Sequence, residues 1–131
     1  MAKKKILVVD DERDIIIYLT TALQENGYQT FHAYDAEEAM KKIIEECPDL
    51  VCLDIMMPKE SGIALYRKFK LDPRTKDIPA IFISAFGIGH ELVGNGFRKY
   101  VPDLQVPEPQ AYLEKPVKVQ TLLDTIQEAI G

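Results

Sequence analysis

The chain has 131 residues, a hydrophobic share of 47%, a charged share of 28% and a formal net charge of −5. Those totals describe one ordinary globular domain, large enough to bury a core without disulfide or metal staples. They argue against a nucleic-acid surface, and no apolar run reaches the length of a membrane span or, behind Lys3-Lys4-Lys5, of a signal-peptide core.

Lys5-Ile6-Leu7-Val8-Val9 reads as a first buried strand, and it ends at once on Asp10-Asp11-Glu12. From Asp14 the period becomes helical, with Ile15, Leu19, Ala22 and Leu23 on one face and Asn26-Gly27 as the stop. Tyr28 to Ala33 alternates and is rich in strand formers. Asp35 followed by Glu38 has capping-box spacing, and behind it Ala36, Ala39, Met40, Ile43 and Ile44 form an apolar stripe ended by Pro48. Leu50-Val51-Cys52-Leu53 is a strand buried on both faces that ends on Asp54, with Pro58 barring further pairing. Ser61-Gly62 opens a helix with Leu65 and Phe69 inward and Asp72-Pro73 beyond its end. Pro79 to Ser84 is a fourth buried strand ending on a hydroxyl.

From about residue 86 to 111 the pattern weakens, with Gly87, Gly89, Gly94 and Gly96 followed by Pro102, Pro107 and Pro109. Glycines in a helix cost about 1 kcal/mol each against alanine, so a short, poorly anchored helix around His90 to Tyr100 is expected, then an extended segment. Gln110 to Leu113 reads as a fifth strand before Glu114-Lys115-Pro116, and Val117 to Ile130 as a closing helix with Val119, Leu122, Leu123, Ile126 and Ile130 on one face. Strands alternating with helices imply a parallel sheet covered on both sides. Cys47 and Cys52 read as buried thiols of a reducing compartment, which points to the cytoplasm.

Parallel sheets of this kind bind ligands beyond the carboxyl ends of their strands. Those ends supply Asp10, Asp11, Asp54, Ser84 and Lys115. Three carboxylates gathered there repel one another, on the order of 4 kcal/mol per pair at about 4 Å and an effective dielectric near 20. A hard divalent cation relieves that repulsion, and carboxylates with water suit Mg²⁺. Each residue also has a plain reading: Asp10 and Asp11 as helix caps, Asp54 as a turn residue, Ser84 as a cap, Lys115 as a solvated lysine. Their coincidence at strand ends carries the functional reading.

Val8-Val9-Asp10-Asp11-Glu12, Leu53-Asp54-Ile55-Met56-Met57-Pro58 with Gly62, Ile83-Ser84-Ala85, and Tyr112-Leu113-Glu114-Lys115-Pro116 resemble the signature positions of bacterial two-component response-regulator receiver domains. The resemblance spans nearly the whole chain as one domain, 1–131. It implies a flavodoxin-like, three-layer (βα)5 fold with sheet order 2-1-3-4-5. It implies that Asp54 accepts a phosphoryl group from a phosphohistidine of a sensor histidine kinase or phosphotransfer protein. Asp10, Asp11, Asp54 and the backbone carbonyl of Met56 would be the Mg²⁺ ligands. Lys115 would pair with the phosphoryl group, before a cis bond to Pro116. Ser84 would bond a phosphoryl oxygen and draw its loop inward, letting Tyr112 swing from exposed to buried. A feeble self-phosphatase is the accompanying activity, and the output would pass to an unknown downstream protein, with no direct contact to nucleic acid or membrane.

Lys115 stands 31 residues after Ser84, longer than the family leads one to expect. The excess falls in the Gly/Pro-rich stretch and stands open as a recognition surface, a mobile lid or a tolerated insertion. Met56 and Phe86, two residues beyond Asp54 and Ser84, are bulky and apolar, and are expected to hinder water and slow loss of the phosphoryl group. Competing readings are a receiver-like interaction module that is never phosphorylated, a fragment of a longer regulator or kinase, an aspartate-nucleophile phosphatase and a flavin protein. The phosphatase wants a second acid just after the nucleophile, where Ile55 and Met56 stand. The flavin protein wants a phosphate-cradling first loop, where Asp10-Asp11 carry the wrong charge. His32 and His90 read as ordinary strand or surface histidines.

Overall fold

The computed structural model describes residues 3–85, 92 and 96–131. In chain order the elements are β1 (Lys5–Val9), α1 (Arg13–Glu25), β2 (Gln29–Ala33), α2 (Ala36–Glu46), β3 (Leu50–Asp54), α3 (Gly62–Leu71), β4 (Ala80–Ser84), α4 (Gly96–Tyr100), β5 (Ala111–Glu114) and α5 (Val119–Ile130). All strand pairings are parallel and the sheet runs β2-β1-β3-β4-β5, the expected order.

The two-residue period of the strands divides the core. Leu7, Val9, Val51, Leu53, Ala80 and Phe82 point to one face, where α2, α3 and α4 bury Ala39, Ile43, Leu65, Phe69 and Phe97. Ile6, Val8, Leu50, Cys52, Ile81 and Ile83 point to the other and meet Leu19, Leu23, Leu122 and Ile126 of α1 and α5. The central strands β3 and β4 are buried throughout, which is why their sequences read as unbroken apolar runs.

Local chemistry sets the element ends. Asp35 accepts a hydrogen bond from the Glu38 amide at 2.8 Å. The Glu38 carboxylate returns not to Asp35 but to the amide of Tyr34, at 3.0 Å. Ser61 caps α3 by accepting from the Ala64 amide at 3.1 Å, and Gly27, φ 91°, follows the end of α1.

Several expectations change. Cys52 is buried and its thiol is pushed up to about 12 by desolvation, but Cys47 is exposed. Cys47 takes a left-handed φ of 47° as the C-cap of α2, which turns it outward from the helix. In the run Ile15-Ile16-Ile17 the buried residue is Ile16, while Ile15 is half-buried and Ile17 exposed.

The described part of the Gly/Pro-rich stretch is firmly held. Phe97 is fully buried, its ring 6.0 Å from Tyr66 and 6.4 Å from Phe82. Val101 and Val106 are buried too. Aromatic packing here outweighs the glycine cost that predicted weak anchoring. The expectations for Gly87, Gly89, His90 and Gly94 lie outside the described residues.

Candidate functional site

Strand register assembles the site. Val9 of β1 pairs with Leu53 of β3, Asp54 with Ile83 of β4, and Ser84 with Glu114 of β5. The residues at or just after those positions are Asp10 and Asp11, Asp54, Ser84 and Lys115, so side chains far apart in sequence reach one edge of the sheet. The Lys115 amide extends the ladder, donating to the Ser84 carbonyl at 2.7 Å. The Lys115–Pro116 bond is cis, as expected.

Asp10, Asp11 and Asp54 each bring a carboxylate oxygen within 4.8 Å of the others. Asp10 and Asp54 are buried and Asp11 is exposed. The Lys115 ammonium lies 3.0 Å from Asp10 Oδ2 and 3.4 Å from Asp54 Oδ2. Glu12, an acid the sequence reading passed over, comes to 4.0 Å of the same ammonium; its signal was its place directly after the Asp pair. Asp10 does not cap α1, whose N-cap is Glu12 without a side-chain cap bond; it makes a local turn. Its Oδ1 accepts from the Glu12 amide at 2.9 Å at the start of α1, while Oδ2 faces Lys115.

Burial pushes the Asp54 carboxyl up to about 7, and the neighbouring Asp10 charge adds to that. Lys115 and the Met56 amide, which donates to Asp54 Oδ1 at 3.1 Å, oppose the rise. Desolvation pulls the Lys115 ammonium down, but Asp10, Asp54 and Glu12 together hold it above the ordinary lysine range. A hard, oxygen-only pocket with two buried carboxylates and one exposed is chemically matched to a small divalent cation.

Gly62 is a second requirement at the end of β3. Its amide donates to the Ile55 carbonyl at 2.9 Å. A Cβ there would overlap the Asp54 carbonyl oxygen, so only glycine lets α3 start this close to β3. Met56 projects into solvent at 60% exposure beside Asp54; Phe86 is outside the described residues. Tyr112 is half-buried, its ring edge-on to Phe82 at 5.7 Å, and its hydroxyl is buried without a hydrogen-bond partner among the described residues. Burial, then the Glu108 carboxylate, push that phenol up to about 12. Among the described residues no helix is long and apolar enough to cross a membrane.

Comparisons with known proteins agree with this geometry. The family model of the response regulator receiver domain matches residues 6–127. The chain is 42% identical over 87 residues to the phosphate regulon transcriptional regulatory protein PhoB of Pseudomonas aeruginosa, a match covering 66% of this chain and 38% of that protein. It is 48% identical over 67 residues to the alkaline phosphatase synthesis transcriptional regulatory protein PhoP of Bacillus subtilis, covering 51% and 28%. These matches span well under half the length of either relative. Among solved structures, a putative response regulator from Chloroflexus aurantiacus superposes with a TM-score of 0.83 at 26% identity, covering 98% of both chains. A CheY-like receiver domain protein from Methanospirillum hungatei gives 0.80 at 29% identity, covering 98% of this chain and 94% of that one. The chain belongs to the response regulator receiver domains, the phosphoacceptor switches of two-component signalling.

Proposed function

We propose that Asp54 is the phosphoacceptor and that Asp10, Asp11, Lys115 and Ser84 serve its reaction. A carboxylate oxygen of Asp54 attacks the phosphorus of a phosphohistidine on a sensor histidine kinase or phosphotransfer protein. The O–P bond forms as the P–N bond breaks, and the imidazole leaves with a proton. Asp10, Asp11 and Asp54, with the backbone carbonyl of Met56, would hold Mg²⁺, which when bound neutralises charge on the acidic cluster and the phosphoryl oxygens.

The chain's own groups do the rest by position. The Met56 amide holds one oxygen of Asp54, leaving Oδ2 toward Lys115. Lys115 exchanges its carboxylate contacts for the incoming phosphoryl oxygens, and the Ser84 hydroxyl bonds another of them. The phosphoryl group brings roughly two negative charges into a site that was balanced without them, which supplies the differential interaction a switch needs. Ser84 then draws its loop inward and Tyr112 settles in its buried position. Slow hydrolysis of the aspartyl phosphate is the accompanying activity, cytoplasm the expected location, and a downstream protein the receiver of the signal.

The observation that carries this reading is one ammonium, Lys115 Nζ, set 3.0 Å and 3.4 Å from two buried carboxylates at the ends of β1 and β3. Incubation with Mg²⁺ and acetyl phosphate, read by intact mass, tests it. The wild type gains one phosphoryl group, and Asp54→Asn or removal of the ion with a chelator prevents the gain. An unmodified wild type would instead favour a receiver fold used only as an interaction module.

A further inference from the structure

α3 begins against Asp54 at Gly62, and its penultimate residue, Lys70, lies toward the far end of the helix. Only 8% of Lys70 is exposed. Its ammonium sits 5.7 and 5.8 Å from the ring centroids of Tyr66 and Phe69. It donates one hydrogen bond, to the Lys76 carbonyl at 3.0 Å, and among the described residues it has no ion pair. Three N–H donors and a full charge are thus buried against a single neutral acceptor, which disfavours the protonated form. Attraction to the two rings offsets part of that cost. Burial still pulls this amine below the ordinary lysine range, against the opposing charge of Asp77.

Lys70 lines an open cavity of about 520 Å³. Leu71 and Leu104 give it apolar walls, Lys76 and Gln105 bring donors, and Asp77 also borders it. A desolvated lysine with a second cation at the same cavity is the setting in which an amine becomes a nucleophile. The hydrogen bonding then selects the kind of electrophile. An acylated Nζ is neutral and keeps one N–H, which matches the one acceptor present. A neutral imine formed with an aldehyde would keep no N–H and would forfeit that bond.

We propose that Lys70 is a covalent acylation site for small acyl phosphates. The lone pair of the uncharged Nζ attacks the acyl carbon, and the C–N bond forms as the bond from that carbon to the phosphate oxygen breaks. Phosphate leaves with the bonding electrons, and the surplus proton on nitrogen passes to solvent. Lys76 pairs with the phosphate oxygens, and the acyl group lies against Leu71 and Leu104. The product keeps its N–H on the Lys76 carbonyl and no longer carries a buried charge. This reaction is independent of the phosphoacceptor reading of Asp54. Where both hold, one acyl phosphate serves two ends of α3, its phosphoryl group going to Asp54 and its acyl group to Lys70.

Incubation of the full chain with acetyl phosphate at neutral pH, with acetylation read lysine by lysine from peptide masses, tests the site. Lys70 should gain an acetyl group about fivefold or more faster than the exposed Lys41 and Lys99. A rate at Lys70 no higher than at those two would overturn the proposal. In unfolding urea the advantage should vanish; an advantage that persists there would belong to the local sequence and would overturn the role of the cavity. Lys76→Gln should slow acetylation of Lys70 several-fold more with acetyl phosphate than with 4-nitrophenyl acetate, which carries no phosphate. Equal effects on both donors would overturn phosphate recognition by Lys76. A phosphoryl group on Asp54 is a separate mass increment, so its failure to appear leaves the Lys70 result standing.

Discussion

Asp54 is 2% exposed, and the Lys115 ammonium contacts both it and Asp10. Its folded carboxyl titrates near 7 against an ordinary 3.8. The native state therefore keeps this proton to a higher pH than the unfolded chain does. The stability it contributes is present below the unfolded value and is lost as pH rises through about 7. In metal-free buffer Asp54→Asn should raise stability at about pH 8 by on the order of 1–2 kcal/mol more than at about pH 4, after allowance for solvent screening. Urea unfolding of both proteins at the two pH values checks this; equal gains would contradict it. Two residues on, Met56 is 60% exposed. Exchanging its apolar bulk for an amide that can hold water, Met56→Asn, should shorten the aspartyl-phosphate lifetime several-fold, of order 1 kcal/mol in the barrier. The decay is followed by intact mass after donor removal, and an equal or longer lifetime would refute the shielding role.

At the level of elements, α3 is tied to Asp54 by its first residue. Gly62 allows the helix to begin against the Asp54 carbonyl, and Ser61 caps it. Gly62→Ala would drive a methyl group into that backbone, so the β3–α3 loop must move. We expect a loss of about 2–3 kcal/mol, the usual cost of overpacking, seen as a lower urea midpoint. Phosphorylation by acetyl phosphate should fall as well, because the Met56 amide that holds Asp54 Oδ1 lies in that loop. A variant with wild-type stability and uptake would mean the approach is not needed. The strap of residues 101–110 between α4 and β5 shows a different relation. Its anchors Tyr66 and Arg67 are consecutive residues of α3, one turned inward to Pro107 and one outward to Asp103. Nothing in the period of α3 distinguishes these residues from core and surface positions, which is why the sequence did not announce the strap's attachment.

At the scale of the molecule, the strands, the helix positions and the convergence of Asp10, Asp11, Asp54 and Lys115 were legible in the pattern, while the sheet order followed from the family resemblance. Buried parallel strands leave long apolar runs, and a strand that ends on a charged residue marks where the chain leaves the core. What stayed hidden depended on partners distant in sequence. Cys47 faces solvent because of the left-handed turn it adopts, and Phe97 is buried because Tyr66 and Phe82 await it. Glu12 carries no role in the sequence reading, because its distance from Lys115 is a product of where the ends of β1 and β5 lie.

The longest connection of the chain leaves the sheet after Ser84 and returns at the other end of the strands, where the Gln110 amide donates to the Ala80 carbonyl and Ala111 pairs with Ile81. The crossover between β4 and β5 is thus a segment with a defined exit and a defined entry, 85–110. Replacing it with the shorter connection of another receiver should preserve autophosphorylation with acetyl phosphate while changing which downstream protein is captured. Loss of phosphate uptake in such a chimera would show that the insert also shapes the chemistry. If uptake survives, specificity in this molecule can diverge by wholesale loop exchange while the reaction centre stands still.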